Sequence, residues 1–260
     1  MTMRTMLTAI APLFVLATAA GAQDAPGKRT RIAIGPQVGP SYPGADGVSV
    51  SPLFDLSRAK AGEDFAFEAA DESIGSPLVR AGNAAFGPAI GFQGSRTARD
   101  VGAPVRKVGF TVEAGGFVQY QFTPALRGRA ELRKGIGGHR GWVSDVSMDY
   151  VVRDHDRSVF SIGPRVTISD HRYNRAYFGV GPEDAATTGL PRFDASGGVQ
   201  AVGATAGLIR QITPVWGFYS YVMYDRLVAD AARSPLVRAY GSRDQFSGGV
   251  ALTYTFGAKR

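Results

Sequence analysis

The segment Val250-Ala251-Leu252-Thr253-Tyr254-Thr255-Phe256 alternates large apolar side chains with small or polar ones, and the same two-residue period returns along the chain. Successive side chains of an extended strand point to opposite faces, so this period builds sheets with one apolar and one polar surface. Phe160, Ile162, Val166 and Ile168 share one face, against Ser161, Arg165, Thr167 and Ser169. Phe110, Val112, Ala114, Val118, Tyr120 and Phe122 alternate with Thr111, Glu113, Gln119 and Gln121. Leu126, Ala130 and Leu132 oppose Arg127, Arg129, Glu131 and Arg133. The polar face carries charges in mid-strand, where a soluble β-sandwich would need large aliphatic side chains to fill its core. A membrane barrel accepts them, because its lumen is polar and lipid covers its apolar face.

The period predicts about twelve strands (10–12). They lie near 31–39, 48–57, 64–69, 73–80, 84–93, 108–122, 125–136, 141–153, 158–169, 196–211, 215–228 and 245–256. Pro164 cannot donate to a ladder and predicts a local defect or bulge. The links at 122–124, 153–157 and 212–214 are tight, while those near 94–107, 170–195 and 229–244 are long and rich in Gly, Pro, Arg and Asp. Outer-membrane barrels share this asymmetry, with short periplasmic turns and longer outer loops. Tyr120, Phe122, Trp142, Trp216, Phe218, Tyr224, Tyr254 and Phe256 fall near strand ends, where aromatic girdles sit. The fold class expected is all-β: a transmembrane antiparallel up-and-down β-barrel.

The N-terminus supplies an address. Arg4, the apolar run Leu7 to Ala20 and the Ala20-Gly21-Ala22 site have the three parts of a secretory signal peptide. The expected organisation is a signal peptide over 1–22 and an outer-membrane barrel over 23–260. No later run of apolar residues is long enough for a transmembrane helix. The chain has no cysteine, which excludes disulfide frameworks, thiol catalysis and thiolate-held metals. Its net charge of +7 suits acidic lipid or lipopolysaccharide as well as nucleic acid, and the barrel pattern favours the former.

No catalytic constellation is legible. Ser169, Asp170 and His171 are adjacent, and on an extended segment neighbours point to opposite faces. His139 in a Gly-rich loop and His155 in the Asp154–Asp156 turn read as surface histidines. Catalytic, metal-binding and cofactor residues are therefore all expected to be none. The informative residues are the charged ones on the polar face: Glu113, Arg127, Arg129, Glu131, Arg133, Asp145, Asp149 and Arg165 are candidate lumen-lining residues. They suit either a plugged, ion-paired interior or a narrow path lined with arginine.

Several segments resemble the MipA/OmpV family of Gram-negative outer-membrane proteins. These are Gly39-Pro40-Ser41-Tyr42-Pro43-Gly44, Glu113-Ala114-Gly115-Gly116-Phe117 and the run from Leu132 through Gly137-Gly138-His139 to Trp142. Ala176-Tyr177-Phe178-Gly179-Val180, Thr188-Gly189-Leu190-Pro191, Asp225-Arg226-Leu227 and Ser234-Pro235-Leu236-Val237 follow in order. The resemblance implies a non-catalytic outer-membrane barrel, a scaffold or interaction protein linked to murein hydrolase and synthase enzymes. Porin-like and adhesive roles are the alternatives within the family. Its partners would be outer-membrane lipid and lipopolysaccharide, with no nucleic acid. Tyr177, Phe178, Gly179, Gly189, Leu190 and Pro191 are then expected in a structured lid loop over the barrel mouth.

Overall fold

The computed structural model describes residues 27–257, so the expected signal peptide lies outside the described residues, as does the tail from Ala258. Eleven strands form one antiparallel sheet. They are β1 (Lys28–Pro40), β2 (Val48–Lys60), β3 (Val79–Ala81), β4 (Ala84–Gln93), β5 (Thr111–Thr123), β6 (Leu126–Gly137), β7 (Trp142–Asp154), β8 (Ser158–Ser169), β9 (Gly198–Gln211), β10 (Trp216–Leu227) and β11 (Asp244–Phe256). Every pair of sequence neighbours from β3 to β11 is hydrogen-bonded, and β1 joins β2 to β11. This is an up-and-down β-barrel meander with one unpaired seam, between β2 and β3.

The alternation sets the two faces. Along β8, Phe160, Ile162 and Ile168 are exposed, whereas Ser161, Arg165 and Ser169 are buried on the concave side. Along β11, Val250 and Leu252 face out and Ala251, Thr253 and Thr255 face in. Large exposed apolar residues recur on the outward positions of nearly every strand. A belt of this extent suits lipid rather than water. Aromatic pairs mark both rims: Tyr120 with Phe122, Trp216 with Tyr254 and Tyr254 with Phe256 at the short-turn end, and Tyr224 with Phe246 at the other.

The long connections carry five short helices that the strand period did not reveal. They are α1 (Ala98–Val101), α2 (His171–Phe178), α3 (Pro182–Thr188), α4 (Ala229–Arg233) and α5 (Pro235–Tyr240). Asp170 caps α2 by accepting from the Tyr173 amide at 2.8 Å, and Pro182 and Pro235 open α3 and α5 at positions that need no amide donor.

Two expected strands differ. Residues 64–69 form no strand; they run inside the barrel, where Phe65 is 1% exposed. Residues 73–80 are a strand only at their end: Ile74 bridges Ile90 and regular pairing starts at Val79. Pro77 offers no amide to a ladder, and the Asp71 and Glu72 carboxylates are satisfied by interior arginines. At Pro164 the pairing with β7 skips a step without changing register; the register shift toward β9 falls at Thr167 and Ile168 instead.

Direction explains the interior segment. β2 and β3 both run toward the short-turn end, because each is antiparallel to a neighbour running the other way. The connection 61–78 must therefore climb away from the short-turn end as far as the Ile74–Ile90 bridge before descending into β3. It climbs through the lumen.

Candidate functional site

The interior is a continuous ionic network. Arg127 donates to Asp149 at 2.8 Å and pairs with Glu72 from the interior segment. Arg165 reaches Asp149 at 2.7 Å and Asp71 at 3.1 Å. Arg129 pairs with Glu131 at 2.6 Å and lies 3.5 Å from Glu72. Arg133 holds Glu113 at 2.9 Å and Asp145 at 2.6 Å, and pairs with Glu131. All eight charged residues singled out in the sequence thus point to the concave side of β5 to β8 and contact one another or the interior segment. Arginines and carboxylates alternate among these eight, so each has an opposite charge beside it, the condition under which charges can sit inside a protein.

Residues 64–73 are bound into this network. Ser73 donates to Glu131 at 2.5 Å, Arg127 donates to the Phe67 carbonyl at 3.0 Å and stacks over the Phe67 ring, and Arg153 donates to the Phe65 carbonyl at 2.7 Å. The Phe65 ring lies under both Arg29 and Arg31, at 4.7 and 4.6 Å. One segment therefore touches side chains from β1, β6, β7 and β8, and the sheet is curled around it.

His139 is a correction. It is buried rather than a surface histidine: its Nε2 lies 3.0 Å from Glu113 and its Nδ1 accepts from the Gly141 amide at 3.0 Å. A Cβ at Gly135 would stand 2.3 Å from the imidazole, so the Gly-rich run leaves room for the ring. The sequence signal was available there as that glycine, four residues before the histidine. Ser169, Asp170 and His171 turn to different partners, Asn174, the α2 amides and the Ala195 carbonyl. Among the described residues no group of three or more His, Asp or Glu side chains could hold a metal.

At the long-loop end the helices pack into a dry cap. Tyr177 and Phe178 at the end of α2 are fully buried among Tyr173, Val108, Ala231 and Val237. Leu190 packs against a second cluster with Tyr42, Val101, Val180 and Leu236. Gly179 ends α2, Gly189 ends α3 with φ +73°, and Pro191 is exposed beyond it. Burial pushes the Tyr173 and Tyr177 phenols above the usual range, so both stay neutral. Arg96 ties two loops together, donating to the carbonyls of Tyr177 and Arg106, each at 2.9 Å. Arg96→Ala should weaken the cap by about 2 kcal/mol, since one buried and one partly buried carbonyl lose a charged donor. Limited proteolysis should then cut loops 94–110 and 170–197 faster while the barrel keeps its heat-modifiable migration. Unchanged cleavage would show that Arg96 does not hold the cap.

The family model for MltA-interacting protein MipA matches residues 32–256. No curated protein matches the sequence. Among solved structures, similarity is found to the CymD monoaromatic hydrocarbon channel, with 9% identity over 92% of this chain and 91% of that one and a TM-score of 0.37. The translocator domain of autotransporter NalP from Neisseria meningitidis is similar at 12% identity over 92% of both chains, with a TM-score of 0.33. Ail, the attachment invasion locus protein of Yersinia pestis, follows at 8% identity over 88% of this chain and 99% of that one, with a TM-score of 0.24.

Proposed function

Because the chain belongs to the MipA family, the MltA-interacting proteins, we propose that this outer-membrane barrel works without catalysis, as a closed anchor that binds a murein-remodelling enzyme at its periplasmic end. The observation that carries the reading is the obstructed interior. The Arg127, Arg129, Arg133 and Arg165 network with the 64–73 segment occupies the lumen, and the α2 to α5 cap covers the far mouth. A barrel closed twice over is poorly suited to steady diffusion of solutes, which favours the anchor over the porin-like alternative.

The short-turn end faces the periplasm in barrels of this kind. There Ile212 is 69% exposed, beside the exposed Arg157 and the half-buried Gln211, around a cavity of about 720 Å³ that also includes Arg29, Asp156 and Pro214. An exposed aliphatic residue ringed by polar groups is the common anatomy of a small protein-binding surface. The outward belt would take lipid, and Lys134, stacked on Trp142 at the outer rim, would meet lipopolysaccharide phosphate.

The test is binding of a soluble MltA-type lytic transglycosylase to the protein in nanodiscs, followed by biolayer interferometry. Binding above that of empty nanodiscs is expected, reduced at least about tenfold by Ile212→Glu with Arg157→Glu, the loss of a small hot spot. Equal signals from loaded and empty nanodiscs would sink the anchor reading. Steady conductance of the wild-type protein in planar bilayers would move the assignment to the porin-like role.

A further inference from the structure

The sheet lacks one strand, and the chain holds a segment of the right length, direction and pattern to supply it. β2 and β3 are consecutive in sequence, run the same way and leave facing edges unpaired among the described residues. Unpaired backbone facing hydrocarbon is costly. A strand running from the short-turn end upward would be antiparallel to both edges. Residues 63–72 already run that way, and they number on the order of ten, the length that spans a bilayer as a strand.

The register is already set. The Glu63 amide donates to the Lys60 carbonyl at 3.1 Å, and Gly62 has φ +86°, so Lys60 to Glu63 form a tight turn directly after β2. Continuing a hairpin from that turn would place Phe65 opposite Arg58, Phe67 opposite Leu56 and Ala69 opposite Phe54. Leu56 and Phe54 are outward-facing and exposed. Phe65, Phe67 and Ala69 would thus join the lipid belt, and Ala66, Glu68 and Ala70 would face the lumen opposite Ser57, Asp55 and Leu53. A slip of one residue would put both phenylalanines inside and Glu68 in lipid. The register given by the existing turn avoids that.

What holds the segment inward is equally visible. Its five carboxylates, Glu63, Asp64, Glu68, Asp71 and Glu72, stand with no Lys or Arg among them. Asp71 and Glu72 are anchored on Arg165, Arg127 and Arg129, and the hairpin register would set the Glu68 carboxylate directly opposite that of Asp55, like charge against like.

We propose that residues 63–72 are a displaceable twelfth strand, which in a second state leaves the lumen, pairs between β2 and β3, and exposes Arg127, Arg129 and Arg165 to anionic ligands entering from the short-turn end. This goes beyond the anchor role and does not depend on it. The arginines would recognise a carboxylate or phosphate group, bidentate contact with such groups being their characteristic chemistry.

The chain has no cysteine, so engineered pairs are read cleanly. Leu56→Cys with Phe67→Cys, and separately Phe54→Cys with Ala69→Cys, should form disulfides only in the inserted state, because Phe67 otherwise lies against Arg127 inside. Ile74→Cys with Ile90→Cys joins residues bridged in the described state and controls for folding and oxidation. Asp71→Asn with Glu72→Gln should raise the crosslinked fraction of both test pairs. On a third background, Ser147→Cys in the lumen should then react with an anionic thiol reagent at least about tenfold faster, as expected when buried ion pairs are removed. Added inorganic phosphate should slow that reaction if the freed arginines bind anions. Absence of both test crosslinks in the released variant, with the control pair intact, would overturn the proposal. So would crosslinking without faster labelling of residue 147. Neither result bears on binding of the transglycosylase.

Discussion

Arg127→Ala should destabilise the barrel by about 3–5 kcal/mol, the cost of leaving buried charges without their partner. Arg127 is 2% exposed, and its guanidinium stands between Asp149, 1% exposed, and Glu72 of the interior segment. Truncation removes both ion pairs, the donor to the Phe67 carbonyl and the cation over the Phe67 ring in one step. Asp149 keeps Arg165 at 2.7 Å, so it remains half-compensated, while Glu72 keeps the Ala69 amide at 3.1 Å and, as its one cation, Arg129 at 3.5 Å. The deficit should therefore fall mainly on the segment. Urea unfolding in detergent micelles, followed by tryptophan fluorescence and heat-modifiable migration, measures the loss. Adding Glu72→Gln to Arg127→Ala should recover part of it, because the stranded carboxylate is then neutral, and the pair should show a coupling of about 0.5–3 kcal/mol. An Arg127→Ala protein as stable as the wild type would mean that these contacts are solvated rather than buried.

The same residue shows what the sequence could and could not disclose. That Arg127, Arg129, Glu131 and Arg133 share a face follows from the two-residue period, which fixes direction without any knowledge of neighbours. Their pairing with Glu113, Asp145 and Asp149, and that of Asp149 with Arg165, requires only that adjacent strands be antiparallel. Glu72, Asp71 and Ser73 could not be foreseen, since their contacts cross 55 residues or more and depend on a segment that leaves the wall. The alternation of Phe65 and Phe67 reads locally as a strand, yet ionic contacts made elsewhere decide its place. The cap illustrates the same limit. Asp170 before α2 and the prolines opening α3 and α5 are ordinary helix-start signals, but each helix is too short to rise above a background of loop residues. Tyr177 and Phe178 could be suspected of packing over the mouth; that Ser234 would donate to the Phe178 carbonyl at 2.7 Å, and Arg96 to that of Tyr177, could not.

Ile162→Arg should impair assembly far more than Thr167→Arg, although both place the same charge on the same strand. Ile162 is 46% exposed on the outward face near the middle of β8, between Tyr150 of β7 and Ala206 of β9. An arginine there would meet hydrocarbon, at a cost of about 2–4 kcal/mol near the midplane. Its guanidinium is too far from either rim to escape fully along its stem. Thr167 lies on the other side of the sheet, where its hydroxyl donates to Asp145 at 2.7 Å. Arginine at that position forfeits one hydrogen bond and places a cation beside a carboxylate, so the two effects nearly offset, leaving about 1 kcal/mol or less. The readouts are the fraction of heat-modifiable barrel recovered from outer-membrane fractions and its midpoint in urea. A tenfold gap in folded yield would follow from a difference of 1.4 kcal/mol between the variants. Because a single-residue slip exchanges the two faces of a strand, the comparison reads the register of β8 directly: equal losses would place both side chains in the same environment, and a larger loss for Thr167→Arg would turn the strand inside out.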